Sequence, residues 1–256
     1  MICGLDPQFL ARPLAHRGLH TDKAGILENS RSAFAAAIEK GYGIELDLQL
    51  SADGQAMVFH DDTLDRMTSH QGPVRNHTAK NLERMALKQS DDCILPLVAL
   101  LQQVSGSVPL LIELKDQTGD LSSSNGDLER ATANALQHYQ GAVAVMSFNP
   151  FSVLEMRRQA PQIARGLTTE VFTKEEWPKI SKDKRLNLTN ISDFEKCEAS
   201  FISHNHEDLE SAPVRALKAK GVPILCWTIE TKAQQHAARQ LADNFTFEGF
   251  QPATSY

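Results

Sequence analysis

The sequence predicts an α/β protein: a (β/α)8 barrel of parallel strands wrapped by helices. Three observations carry that reading. Strand-like and helix-like segments alternate from one end of the chain to the other, which implies parallel pairing. Eight strand-like segments remain once one hairpin return is set aside, the number that closes such a barrel. No Gly-rich phosphate loop follows the first strand, which disfavours an open doubly wound sheet. A length of 256 residues suits one barrel, and no stretch has the composition of a linker. Residues 1–256 are therefore expected to form a single domain.

The elements follow in order. PLAHRG (Pro13 to Gly18) is a short strand running into a loop. Asn29 or Ser30 caps the helix RSAFAAAIEK, which carries Phe34, Ala37 and Ile38 at helical spacing and stops at Gly41. GIELDLQLS is a strand, and the Asp-Gly pair of SADGQ favours a tight reversal into an antiparallel AMVFHD. A polar, turn-rich excursion runs from Asp61 to about Asp92, and LPLVALLQQV is the next helix. VPLLIELK (Val108 to Lys115) is a strand, joined by a Gly/Ser-rich loop to a helix from Leu128 to Tyr139. VAVMSF is a strand, and Asn149-Pro150 opens the helix after it. IARGLTTE, SFISHN, VPILCWTI and NFTFE complete the strands, and SAPVRALKAKG and KAQQHAARQLA supply the last helices. Between Glu170 and Ala199 the pattern is weakest, with a helix expected near Trp177.

Composition narrows the function classes. The net charge is −6 with both signs scattered, which argues against a basic nucleic-acid surface. Cys3, Cys93, Cys197 and Cys226 lie far apart without metal-ligand spacing and read as reduced thiols. The N-terminus lacks a basic region and a long apolar run, and no window reaches the ~18 apolar residues of a membrane span. A soluble cytoplasmic protein without stable membrane association is expected.

The chemistry concentrates on two strands. In GIELDLQL, Ile44, Leu46, Leu48 and Leu50 point one way and Glu45, Asp47 and Gln49 the other. On pattern alone this could be a half-exposed strand. In a parallel barrel, however, both faces are covered, so the aliphatics meet the helices and the acids face inward. VPLLIELK repeats the arrangement with Leu111, Glu113 and Lys115. Two carboxylates about 5 Å apart repel by roughly 3 kcal/mol at an effective dielectric of 20. A hard divalent cation, Mg²⁺ or Ca²⁺, held by Glu45, Asp47 and Glu113 would resolve that repulsion. An ion pair between Glu113 and Lys115 is the plainer alternative for that one acid.

Of nine histidines, His20, His70, His77, His138 and His236 read as surface residues. His16 and His60 each end a strand-like run, in AHRG and FHDD, and bracket the carboxylates. A pair of imidazoles there suits general acid–base chemistry. Arg17 offers a fork for phosphate oxygens, and Asp61 either orients His60 or caps the turn.

These residues resemble the glycerophosphodiester phosphodiesterase family. The resemblance rests on HRG at 16–18, ENS at 28–30, ELD at 45–47, FHDDTLDRMT at 59–68 and IELK at 112–115. SF at 147–148 and WT at 227–228 fit as well. It implies a TIM barrel with a small insertion after the second strand, at about 53–105. It further implies catalytic His16 and His60 and a divalent cation on Glu45, Asp47 and Glu113. Phosphate contacts would come from Arg17 and Lys115, with Trp227 as a wall for the alcohol. The expected reaction releases sn-glycerol 3-phosphate and an alcohol from a small-molecule glycerophosphodiester. Water and a neighbouring substrate hydroxyl stay open as nucleophile, as does which histidine is acid and which base. The chain departs from the family pattern at Leu27, where relatives read P-E-N, and at TFEGFQP, where they read T-D-x-P. The TFEGFQP loop borders the barrel mouth and bears on substrate choice. The alternatives are a lysophospholipid or sugar-phosphodiester hydrolase, and a non-catalytic barrel that binds a phosphodiester. His204, in ISHNHEDLE, is expected to be a loop histidine bonded to backbone.

Overall fold

The first strand, β1 (Leu14–Ala15), is only two residues long. Arg17 and Gly18 adopt positive φ of 53° and 81° and turn the chain out of the sheet, so the strand is shorter than Pro13 to Gly18. A Cβ at Gly18 would lie 2.9 Å from that of Ala33, so only glycine lets this turn rest on the following helix. The computed structural model describes residues 3–21 and 25–253.

The remaining strands are β2 (Gly43–Leu50), β3 (Ala56–Val58), β4 (Leu95–Pro96), β5 (Leu110–Leu114), β6 (Val143–Ser147), β7 (Ala164–Thr169), β8 (Phe201–Asn205), β9 (Ile224–Ile229) and β10 (Asn244–Phe247). Eight of them are parallel and close in the order β1-β10-β9-β8-β7-β6-β5-β2, with β2 returning to β1. This is the predicted (β/α)8 barrel.

Because β1 is short, it pairs only with Gly43 and Ile44 at the lower end of β2. The upper edge of β2 pairs instead with antiparallel β3, Leu48 opposite Val58. β3 in turn pairs with β4. The chain between them holds a 3₁₀ turn (Val74–Asn76), helix α3 (Ala79–Leu82) and its own apolar cluster around Met57, Leu64 and Leu82.

Helix α1 is Gln8–Ala11 and α2 is Arg31–Lys40. The cap of α2 is Ser30, whose hydroxyl accepts from the Ala33 N–H at 3.1 Å, and the helix ends at Gly41. Helix α4 (Leu97–Val104) joins the main core through Leu97, Leu100 and Leu101. The segment outside the barrel therefore ends near β4, before the expected residue 105. Helices α5 (Asp127–Leu136), α6 (Pro150–Gln159), α8 (Ala212–Ala219) and α9 (Lys232–Ala238) lie near the expected ranges. Trp177 is not helical: α7 lies at Lys182–Thr189, capped by Ser181, whose side chain accepts from the Lys184 N–H.

Ile44, Leu46, Leu48 and Ile112 pack outward into the helical layer. Inside the barrel, Leu14, Leu111, Met146, Phe201 and Leu225 form a separate cluster, joined by Phe9 from α1. Gly166 makes room there, since a Cβ would fall 2.4 Å from the Phe201 ring. All four cysteines are free, and burial pushes the Cys226 thiol up to about 12.

Candidate active site

Strand register sets the centre. β2 and β5 pair with Asp47 opposite Glu113, so alternation sends Glu45, Asp47, Glu113 and Lys115 to one face. The three acids are 2%, 1% and 7% exposed, and each offers an oxygen within 4.8 Å of the others. Lys115 Nζ lies 2.8 Å from Asp47 and 2.6 Å from Glu113. Burial opposes its charge, but these two acids hold its proton well above the ordinary lysine range.

Glu45 is placed differently. It accepts the Arg17 backbone N–H at 3.0 Å and, among the described residues, has no cationic side chain at ion-pair distance. Burial, then Asp47 and Glu113, push its pKa well above the usual carboxylate range. A buried carboxylate without a counter-charge is costly. Three hard oxygen donors with one uncompensated acid fit a hard divalent cation, as expected from the sequence. The donor set does not choose between Mg²⁺ and Ca²⁺.

Arg17 closes the other side, its Nε 3.4 Å from Asp47 and its Nη1 donating to Glu28 at 2.8 Å. Arg17 and Asn29 both adopt left-handed backbone, with φ of 53° and 55°, a conformation costing of order 1–3 kcal/mol each. The two are tied together, since the Asn29 N–H donates to the Arg17 carbonyl at 2.8 Å. Asn29 Nδ2 then donates to Asp47 at 2.8 Å. Burial works to raise the Asp47 pKa, but Lys115, His60 and Arg17 hold it far below the usual range.

His16 follows β1, and its Nδ1–H donates to Glu248 at 2.6 Å. Burial lowers the His16 pKa below its ordinary value, while the bond to Glu248 opposes that shift. His60 follows β3, with Nδ1–H donating to Asp61 at 2.7 Å. Asp61 thus orients the imidazole. Arg66 grips Asp61 through Nε at 2.7 Å and Glu28 through Nη2 at 2.6 Å. Glu28, His60 and Asp61 also bring ligand atoms together, but the Arg66 guanidinium already compensates those acids. His16 adjoins Arg17, whose backbone N–H donates to Glu45, and Glu28 ties Arg17 to the Arg66–Asp61–His60 network, so both histidines connect to the acid cluster.

Sequence reading missed four participants. Glu248 is a lone acid just beyond the last strand, and its partner His16 is 232 positions away. His20 is not a free surface residue, since its Nε2 lies 3.5 Å from the same Glu248 carboxylate. Arg66 and Glu28 were visible only as parts of longer motifs. His204 is a strand rather than a loop residue, 1% exposed, its ring bonded to Thr169 Oγ1 at 2.8 Å and to Asp208 at 3.3 Å.

Trp227, on β9, donates its Nε1–H to the Ser203 carbonyl at 2.9 Å. Its ring packs edge-on against Phe148 at 5.6 Å. Phe148 and Trp177 are the rings that line a cavity of ≈ 430 Å³, which Glu113 and Lys115 also line. A second cavity, ≈ 790 Å³, opens on the opposite flank beside His20 and Glu248.

The glycerophosphoryl diester phosphodiesterase family profile matches residues 16–243. A glycerophosphodiester phosphodiesterase of Caldanaerobacter subterraneus subsp. tengcongensis is 26% identical over 227 residues, covering 86% of each chain. One from Bacillus altitudinis is 30% identical over 171 residues, covering 62% of this chain and 67% of that one. Among solved structures, an Oleispira antarctica phosphodiesterase in complex with the product sn-glycerol-3-phosphate has a TM-score of 0.76 at 22% identity, covering 94% of this chain and 93% of that one. These likenesses place the chain among the phosphodiesterase barrels. It belongs to the glycerophosphoryl diester phosphodiesterase family and is an enzyme of that class.

Proposed function

We propose that the protein is a divalent-cation-dependent hydrolase of glycerophosphodiesters, releasing sn-glycerol 3-phosphate and an alcohol. The observation that carries this reading is the buried trio of Glu45, Asp47 and Glu113, in which Glu45 has no cationic partner among the described residues, beside two carboxylate-bound imidazoles. Glu45, Asp47 and Glu113 would hold the cation, which when bound supplies positive charge to the nonbridging phosphate oxygens.

Arg17 and Lys115 add charge stabilisation as the pentacoordinate phosphorus develops. Arg17 is anchored by Glu28 and Lys115 by Asp47 and Glu113, so both are held in place ahead of the reaction. His16 is kept neutral by burial and takes the proton of the attacking oxygen. His60, oriented by Asp61, gives a proton to the departing alkoxide. The two cavities support this division. Asp62, two residues beyond His60, lines the Phe148–Trp177 cavity, whereas Glu248 lines the opposite one. The leaving alcohol then occupies the aromatic side, with Trp227 backing its wall through Phe148.

The test is a product assay for sn-glycerol 3-phosphate on purified protein. His16→Ala and His60→Ala should each reduce turnover about 10²–10⁴-fold with the fold retained. EDTA should abolish activity, and Mg²⁺ or Ca²⁺ should restore it. Undiminished turnover in either variant removes that histidine from the mechanism, and full activity in chelator removes the cation.

A further inference from the structure

The cavity beside Glu113 and Lys115 has a chemical character that the hydrolysis itself does not require. We infer that it is a subsite for an organic ammonium, so that the enzyme prefers diesters whose alcohol carries a trimethylammonium group. This rests on the hydrolase reading and deepens it by naming the alcohol.

Two aromatic rings form its wall. Phe148 follows β6 and lies 5.4 Å from the Trp177 ring, with a tilt of 47°. Phe172 and Trp227 pack behind, Phe172 at 5.1 Å from Trp177 and Trp227 at 5.6 Å from Phe148. The Trp177 indole is fixed by its Nε1–H, which donates to Glu170 at 2.8 Å. The rings are therefore held at both edge and back, while Phe148 and Trp177 stay partly exposed toward the cavity. The chain thus lines this space with two aromatic rings.

The outer lining is acidic. Asp62, Asp116 and Glu176 face the same space, against Lys179 as the outer cation. The neighbouring Lys115 ammonium is already paired with Asp47 and Glu113. The carboxylates are held by local bonds: Asp62 accepts from Gln49 Nε2 at 3.2 Å, Asp116 from Asn149 Nδ2 at 2.7 Å, and Glu176 from Thr173 Oγ1 at 2.8 Å. Aromatic faces attract a weakly hydrated cation through the ring quadrupole, and quaternary ammonium suits them best. The surplus of carboxylates works in the same direction and against an anionic alcohol. At ≈ 430 Å³ the cavity is ample for a choline-sized alcohol, and it runs to the residues proposed to hold the reacting phosphate.

The experiment compares kcat/KM for glycerophosphocholine and glycerophosphoglycerol, using sn-glycerol 3-phosphate release by the full chain. The choline diester should be favoured about tenfold. Trp177→Leu should reduce that ratio about fivefold, whereas Trp177→Phe should retain most of it. Glu176→Gln, at an exposed position that does not threaten folding, should reduce it about two- to fivefold. Equal kcat/KM for the two diesters, or a ratio untouched by both Trp177→Leu and Glu176→Gln, overturns the subsite and leaves the hydrolase reading standing. If neither diester is cleaved, the hydrolase reading fails, and tryptophan fluorescence in EDTA decides the subsite separately. Saturable quenching by glycerophosphocholine, weaker with glycerophosphoglycerol, supports it, and indistinguishable titrations overturn it.

Discussion

Glu248 and Glu129 are both partly or fully withdrawn from water, yet their partners make them opposites. Glu248 is held below the usual carboxylate range by its bonds to His16 and His20. As the anion, it raises the affinity of His16 for a proton against the effect of burial. Glu248→Gln removes that support, so the His16 pKa should fall and the acid limb of the pH–rate profile should move to lower pH. The variant should also lose orientation of the imidazole, with kcat reduced about 10–100-fold, read from a full pH profile. Glu129 is 1% exposed and bonded to the Ser152 hydroxyl, and burial raises its pKa above the ordinary 4.5. The fold thus favours its protonated form. Its contribution is intact below pH 4.5 and declines as pH rises through the folded-state pKa. Each tenfold change in proton affinity is worth about 1.4 kcal/mol. Glu129→Gln should therefore raise Tm at pH 7 and flatten its fall between pH 4 and pH 7, measured by thermal melts across that range. A variant less stable than the parent at pH 7 would count against this account.

At the scale of elements, glycine in β7 has a steric task. Phe201 from β8 fills the barrel interior over Gly166, where even a methyl group would meet the ring at 2.4 Å. Gly166→Ala should cost about 1–3 kcal/mol by overpacking, measured by urea unfolding, whereas an exposed glycine such as Gly54, with nothing near its Cβ direction, offers no such clash. The barrel strands were legible because alternation fixes which side chains share a face. The acids of GIELDLQL and VPLLIELK follow from that rule alone. Helix α7 was not legible, because Lys182–Thr189 presents Leu188 as its one buried residue and so lacks an apolar stripe. Glu248 was hidden for another reason: chain closure brings it to His16, and no local periodicity encodes a contact between the first and last strands. The Phe148–Trp177 pair was not legible, since Trp177 lies in irregular backbone where a helix was expected.

For the whole molecule, the proposed cation site of Glu45, Asp47 and Glu113 would link folding to ion binding. A cation that binds only the folded state stabilises it by about 2.7 kcal/mol at a hundredfold excess over Kd, or about 5–10 °C in Tm for a chain of this size. Mg²⁺ or Ca²⁺ should therefore raise Tm in the parent protein, and Glu45→Gln should remove most of that rise. Equal rises in both proteins would dissociate the ion from this cluster.

The brevity of β1 reaches further than the barrel seam. It leaves half of one stave without a parallel neighbour, and the hairpin that fills the gap delivers His60 on a segment with its own small nucleus. Two apolar clusters thus carry one half each of the proposed acid–base couple. Mild denaturant should silence turnover by loosening the smaller cluster while the far-ultraviolet ellipticity of the larger one is still intact, and coincident curves would mean that the seam is welded.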